Sequence, residues 1–307
     1  MDLSREILLL NKLSELNRQI VSSWRAHLIY QKYEDTFIDE KKVKKHLSRL
    51  QKSEMIKPLG EKSSALWQVT LPYLTETKNR YEAAGEAYST GSFCYATAME
   101  LLKLTDQRSD TIHICLPEQS VDSLFNVEEH LIDELLPADT EVNDWQMRKL
   151  PSIIHINRIW DASIQTHTVK NDWFFGSTIK PIEDVNVKTF SLERVLVDGL
   201  RMPKYCGGLN EVFRAWVRSI DQIKMDKLVK CVERYDITIL HQRVGFVAEM
   251  LDLWHPNFME WKKNRTPRGG SRLLNPENDY ESQFSENWNI SINHPVSILK
   301  TKDDTYS

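Results

Sequence analysis

A reversal at Pro203 to Gly208 restricts the second half of this chain to short helices folded back on one another. Before it, a helix from Leu192 to about Leu200 places Val195, Leu196 and Leu200 on one side. That helix has to stop ahead of Pro203, which lacks an amide donor and restricts the residue preceding it. Cys206-Gly207-Gly208 then turns the chain. From Leu209, the apolar residues Val212, Phe213, Trp216, Val217 and Ile220 recur at the spacing of a buried helix face. A third helix carries Leu240, Val244, Val247, Met250 and Leu251 and is interrupted by Gly245. A glycine there costs about 1 kcal/mol of helix stability unless close packing requires it.

The 307 residues, 41% hydrophobic and 27% charged, are enough to bury a sizeable core and predict two or three domains. No run of 18 apolar residues occurs, and the Met1-Asp2-Leu3-Ser4-Arg5 start lacks the pattern of a secretory signal. The expected compartment is the cytoplasm, with no membrane partner. Cys94, Cys115, Cys206 and Cys231 form no CxxC pair, and the nine histidines show no HxxxH spacing. Buried thiols are therefore expected, with no metal site and no cofactor, and His113 in its apolar run reads as a core residue.

Charge is unevenly distributed. Residues 1–72 carry a net +4, so the rest of the chain holds −8. Between Lys41 and Lys62, eight basic residues face two acids, an electrostatic footprint of the kind that meets nucleic acid. Residues 4–32 read as one long or two consecutive helices, the second over Trp24 to Gln31. Asp39 is placed to cap a third helix whose Val43, Leu47 and Leu50 face inward. Its other side would present Lys41, Lys42, Lys44, Lys45, His46, Ser48, Arg49 and Lys52. Two short strands follow around a Gly60-to-Ser64 turn, with Trp67 and Val69 inward and Lys57 and Lys62 adding charge. The order predicts an N-terminal winged helix-turn-helix over residues 1–80, its third helix entering the major groove of DNA. The basic residues would neutralise phosphates, while Ser48, Arg49, Lys45 and Gln51 are candidates for base edges.

Past a polar stretch from Leu74 to Glu82, residues 81–307 read as a larger mixed α/β domain ending in the helical segment at about 191–255, which makes the whole an α+β chain. A helix is predicted over Ala96 to Leu104 and another over Val121 to Leu136. Strands are predicted at Thr111 to Leu116, Ile153 to Trp160, Trp173 to Phe175 and Val185 to Val187, and a docked terminal strand within Asp279 to Asn293. No nucleophile elbow, phosphate loop or dinucleotide fingerprint is present, so no catalytic residue is assigned. A metal-dependent nuclease would need clustered carboxylates, for which Glu183 and Asp184 with Lys180 or Lys188 offer only a weak case that a solvated turn explains more simply.

Three segments, Ser191 to Asp198, Pro203 to Gly208 and Arg243 to Glu249, resemble the core signature of AbiE-type abortive-infection antitoxins, the AbiEi family of regulators in type IV toxin-antitoxin systems. The resemblance extends more weakly to Ala96 to Leu101 with Asp106-Gln107, and to Arg272-Leu273-Leu274-Asn275-Pro276, where the family commonly has aspartate in place of Asn275. It implies a phage-defence antitoxin that represses its own operon through the winged helix and counters a nucleotidyltransferase-type toxin through the C-terminal domain. The implied partners are operator DNA with inverted repeats, bound by two protomers, and a toxin that is opposed without a stable complex. A winged-helix regulator with no cognate toxin is the alternative reading, and a metal-dependent nuclease a distant third. One further feature is a basic stretch with Lys262, Lys263, Arg265, Arg268 and Arg272 on the otherwise acidic domain. It is either a flexible surface connection or a secondary patch for operator DNA, or for an RNA or nucleotide connected with the toxin.

Overall fold

A computed structural model describes residues 4–34, 39–59, 65–70, 78–118, 153–182, 185–264 and 272–300. The chain is mixed α+β. It divides into two compact units, one formed by Met1–Ser92, Asp110–Asn171 and Ile179–Lys188, the other by Phe93–Ser109, Asp172–Thr178 and Thr189–Ser307.

The first unit begins with α1 (Ser4–Glu15), β1 (Ile20–Ser22), α2 (Ser23–Glu34), α3 (Glu40–Lys52), β2 (Ile56–Pro58) and β3 (Leu66–Val69). Of the one long or two consecutive helices that the sequence allows over residues 4–32, the structure has two, because Asn17 turns left-handed at φ 52° and ends α1, and Ile20 and Val21 lie between them. The two β-branched residues then pair antiparallel with Gln68 and Trp67, giving a small sheet in the order β1-β3-β2. Leu9, Leu13, Ile29, Tyr30, Leu47 and Val69 meet in the core of this region, with Trp67 partly buried against it.

Next comes α4 (Arg80–Ala87), whose first three residues close the polar stretch from Leu74 to Glu82. Polar composition there does not mean exposure. Asn79 Oδ1 caps the helix by accepting from the amides of Tyr81 and Glu82, and Arg80, Glu82 and Glu86 are all buried. The two glutamates are buried because they have donors to satisfy: Glu82 accepts from the amides of Gln19 and Ile20, and Glu86 accepts from Ser22, Arg18 and Arg25.

A six-stranded sheet runs in the order β6-β7-β5-β4-β9-β8, from β4 (Ser92–Phe93), β5 (Thr111–Pro117), β6 (Arg158–Ile159), β7 (Ala162–Val169), β8 (Ser177–Ile182) and β9 (Val185–Phe190), with α5 (Tyr95–Leu101) after β4. Its β5/β7 and β4/β9 pairs are parallel and its β6/β7 pair antiparallel. Two strand expectations change. Ile153 to Trp160 contributes only the two residues of β6, and Trp173 closes a 3-10 turn at Asn171–Trp173, with Phe174 and Phe175 after it in no strand. The predicted helix at Val121 to Leu136, the Glu183-Asp184 pair and the tail past Lys300 lie outside the described residues.

The second unit carries α6 (Leu192–Arg201), a 3-10 turn at Pro203–Cys206, α7 (Leu209–Ser219), α8 (Met225–Tyr235), α9 (Thr238–Met250) and α10 (Asn257–Lys263). Gly207 and Gly208 adopt φ 79° and 92°, the left-handed backbone that the reversal needs and that a side chain would strain. Four helices occupy the span 192–250 instead of the three expected, because α8 buries Leu228, Val229, Val232 and Tyr235. Near the end, β10 (Phe284–Ser285) and β11 (Ile290–Ser291) form an antiparallel hairpin in place of a single docked strand. Asn275 is buried there, its amide donating to Asn293 Oδ1 at 2.8 Å and its own Oδ1 accepting from the Glu277 amide at 3.1 Å. Among the described residues, no helix is long and apolar enough to cross a membrane.

Candidate nucleic-acid interface

Helix α3 is built by a cap, an apolar stripe and a complementary charge distribution. Asp39 Oδ1 accepts from the Lys41 amide at 3.3 Å, and Ser53 Oγ donates to the Arg49 carbonyl at 3.0 Å, so both ends find side-chain partners. Glu40 lies in the first turn and Arg49 and Lys52 in the last, each favourable to the helix dipole. Val43, His46, Leu47 and Leu50 are buried. Directly opposite them, Lys41, Lys45, Ser48 and Lys52 recur at i, i+4, i+7 and i+11, and all four are exposed. Lys42 and Lys44 are exposed on the flanks of that stripe, Lys44 in an i,i+4 pair with Glu40 at 3.1 Å. With both partners largely solvated, that pair contributes about 0.3–0.5 kcal/mol.

Two predicted surface residues are placed differently. His46 is 8% exposed, its Nδ1 2.9 Å from Glu6 Oε1 and its ring tilted against Tyr30. Arg49 is half-buried and donates from Nη1 to the same Glu6 oxygen at 3.2 Å. Glu6 is itself only 2% exposed. Burial alone would raise its pKa, but the hydrogen bond to His46, its own backbone amide and Arg49 outweigh burial and hold it below the usual carboxylate range. The signal for this buried acid was present in the sequence: Glu6 shares a helical face with Leu9, Leu10 and Leu13, where a carboxylate requires donors.

The β2/β3 hairpin lies beside α3. Trp67 Nε1 donates to Gln51 Oε1 at 3.3 Å, linking β3 to the last turn of the helix. Lys57 is exposed on β2 across from Gln68, whereas Lys62 lies outside the described residues.

The second basic stretch is less uniform than its sequence implies. Lys262 Nζ is 2.7 Å from Glu249 and lies over the Trp288 ring, Lys263 is exposed, and Arg272 is half-buried. Arg265 and Arg268 lie outside the described residues. In the sheet, His113 sits 3.0 Å from His167, and burial lowers its pKa to about 4, leaving it neutral at physiological pH. The four cysteines are buried and form no disulfide, and no group of three or more His, Cys, Asp or Glu is placed to hold a metal ion among the described residues.

No protein-family model matches the chain, and no curated protein matches it. Among solved structures, the chain is similar to the crystal structure of the RV2827C protein from Mycobacterium tuberculosis, over 96% of this chain and 93% of that one, with a TM-score of 0.55 at 11% sequence identity. At that identity the likeness shows the fold alone: the mixed α+β arrangement over nearly the full length is one that a solved protein also adopts.

Proposed function

We propose that α1, α2 and α3 with the β1-β3-β2 sheet form a winged helix that binds double-stranded DNA, and that the chain is an autoregulating antitoxin opposing a nucleotidyltransferase-type toxin. The observation that carries the DNA reading is the single stripe of Lys41, Lys45, Ser48 and Lys52 on the side of α3 away from its core, flanked by Lys42 and Lys44. These six exposed side chains on one short helix give a surface that fits a phosphate-lined groove. The order helix, strand, helix, helix, hairpin matches the arrangement in which the last helix enters the major groove and the hairpin lies along the backbone. The antitoxin part rests on the resemblance of the 191–208 and 243–249 segments.

Titration of a fluorescent duplex from the region upstream of the reading frame tests the first part. With roughly four to six phosphates contacted, log K falls against log salt with a slope of about −4 to −5 per protomer. A flat salt response sinks the DNA reading. Growth rescue on co-expression with a neighbouring nucleotidyltransferase tests the second part, and lack of rescue by the full chain removes the antitoxin role while leaving the DNA role standing.

A further inference from the structure

Resting on the DNA reading above, we propose that Arg49 recognises a guanine edge in the major groove and that Glu6, on a different helix, positions it. Four side chains of α3 compete for that role, and their surroundings separate them. Gln51 has its side-chain oxygen engaged by Trp67, toward the hairpin. Lys45 and Ser48 lie on the exposed stripe, and no ion pair fixes Lys45 among the described residues. Arg49 differs from all three because it is anchored by a buried carboxylate. Its side chain is 32% exposed while its Nη1 meets a Glu6 carboxylate whose own side chain is 3% exposed.

Anchoring matters because of what a guanidinium is. It is planar, cannot lose its proton, and carries five donors in a fixed fork, so engaging one edge sets the direction of the others. Guanine offers N7 and O6 side by side in the major groove, and a bidentate arginine is the commonest specific contact to it. Among the described residues, the second Glu6 oxygen, Oε2, is buried and has no hydrogen-bond partner, so it is an acceptor still available to the guanidinium beside the first. His46 at 2.9 Å fixes the carboxylate in turn. The same geometry makes Arg49 a poor phosphate contact. Its charge is offset by Glu6 at 3.2 Å, whereas Lys41, Lys45 and Lys52 form no ion pair among the described residues. Phosphate neutralisation therefore falls to the lysines and base discrimination to Arg49.

The test uses the full-length protein. A preferred duplex is selected from a random pool, and its affinity is compared with that of a scrambled duplex over a range of salt concentrations. Arg49→Lys is expected to lower the preferred-to-scrambled ratio on the order of tenfold and to erase the preference at one G·C pair, with little change in salt slope. Glu6→Gln is expected to lower the ratio as well, although it makes the protein more positive. Lys45→Gln is expected to weaken both duplexes alike and to reduce the slope by about one. The proposal is overturned if Arg49→Lys keeps the ratio and the selected sequence. It is also overturned if Glu6→Gln tightens both duplexes equally, the result of an acid that acts only through charge. Failure of the wild-type protein to bind any duplex overturns the DNA reading as well. Thermal melts of the free variants separate loss of fold from loss of recognition, and Arg49→Lys, at a half-exposed position, stays informative if Glu6→Gln unfolds.

Discussion

Glu82 and Glu86 stand one helical turn apart on α4 in opposite electrostatic settings: Arg25 Nε approaches Glu86 to 2.7 Å, whereas Glu82 accepts the backbone amides of Gln19 and Ile20 at 2.9 Å each. Burial favours the protonated form of both. At Glu86 the charges of Arg25 and Arg18 and the hydrogen bonds from Ser22 and Arg25 overcome burial and hold its pKa below the usual range. At Glu82 burial prevails and the pKa is raised.

The signs of linkage follow. Glu86, lowered in the folded protein, contributes stability that is full above about pH 4.3 and is lost as the pH falls through its folded value. Replacing it removes the carboxylate that Arg25 meets at 2.7 Å and that Arg18 also approaches, so Glu86→Ala is expected to cost about 3 kcal/mol at neutral pH. Urea unfolding at pH 7 and pH 3 checks this, with the gap between wild type and variant narrowing in acid. An equal gap at both values contradicts the assignment.

Glu82 runs the other way. Its contribution is present at low pH and is lost as the pH rises through its raised folded value, leaving a buried charge as a cost at neutrality. Glu82→Gln keeps an oxygen acceptor for the Gln19 and Ile20 amides while removing that charge. The expected result at pH 7 is an unchanged or higher urea midpoint. A loss as large as that of Glu86→Ala would show that the carboxylate charge is needed.

Arg194 is 1% exposed and donates from Nε to Asp198 at 2.8 Å. Its guanidinium lies 4.1 Å from the Phe175 ring centroid, 4.6 Å from Phe190 and 4.4 Å from Tyr235. Tyr235 also donates its hydroxyl to Asp198, and burial, then the Asp198 charge, push the Tyr235 pKa well up. A lysine supplies a point charge in place of a flat cation able to face three rings. Arg194→Lys is thus expected to destabilise by about 2 kcal/mol or more. In a double-mutant cycle, Arg194→Met with Asp198→Asn should lose less than the sum of the single changes, and strict additivity would contradict a coupled pair.

All four cysteines are buried. Burial pushes the Cys206 thiol far up, with the Asp198 charge adding to it, and pushes Cys231 up to about 11. Because the thiolate is the reactive form, the folded protein at pH 8 should leave an aromatic disulfide reagent unreacted, and the protein in urea should titrate four thiols. Rapid modification of the native protein argues against this burial.

The sequence was most legible where one periodicity dominates. Helix α3 has its buried Val43, Leu47 and Leu50 at regular spacing and its lysines opposite, so cap, faces and charge agree. Legibility failed where a short element depends on distant partners. The three residues of β1 are strand only because β3 lies beside them, and Trp24 beyond them keeps the helical rhythm going. Strand β7 is half-exposed along its length, with Ser163, Gln165 and Thr166 all exposed, so it lacks the apolar alternation that marks a strand. Buried acids were the harder part of the site. The apolar face around Glu6 marks it as buried, but its donors His46 and Arg49, like Arg18 and Arg25 for Glu86, come from elsewhere in the chain. The signature segments resolve differently again, because Arg194, Asp198 and Arg243 are buried side chains that support packing, not an exposed surface.

Gly245 belongs to the same group, and its neighbour explains why a glycine interrupts α9. A Cβ built there would lie 2.1 Å from Trp288 Cη2 and 2.2 Å from Cζ3, inside the contact limit of any pair of carbons. Trp288 is 1% exposed and is held by a hydrogen bond to Glu249 and by Phe258 against its ring, so it has little freedom to retreat. Alanine at position 245 gains about 1 kcal/mol in helix propensity. The overlap outweighs that gain, since forcing one carbon into a packed core costs about 1–3 kcal/mol and a rigid indole lies at the upper end. Gly245→Ala should therefore lower stability despite the better helix former. Adding Trp288→Leu to Gly245→Ala should then cost less than Trp288→Leu does alone, because the smaller side chain leaves room that the new methyl partly fills. Chemical denaturation of the four proteins decides the matter: a stabilised single Gly245→Ala variant would mean that the indole moves aside, and equal costs in both backgrounds would mean that the two positions do not touch.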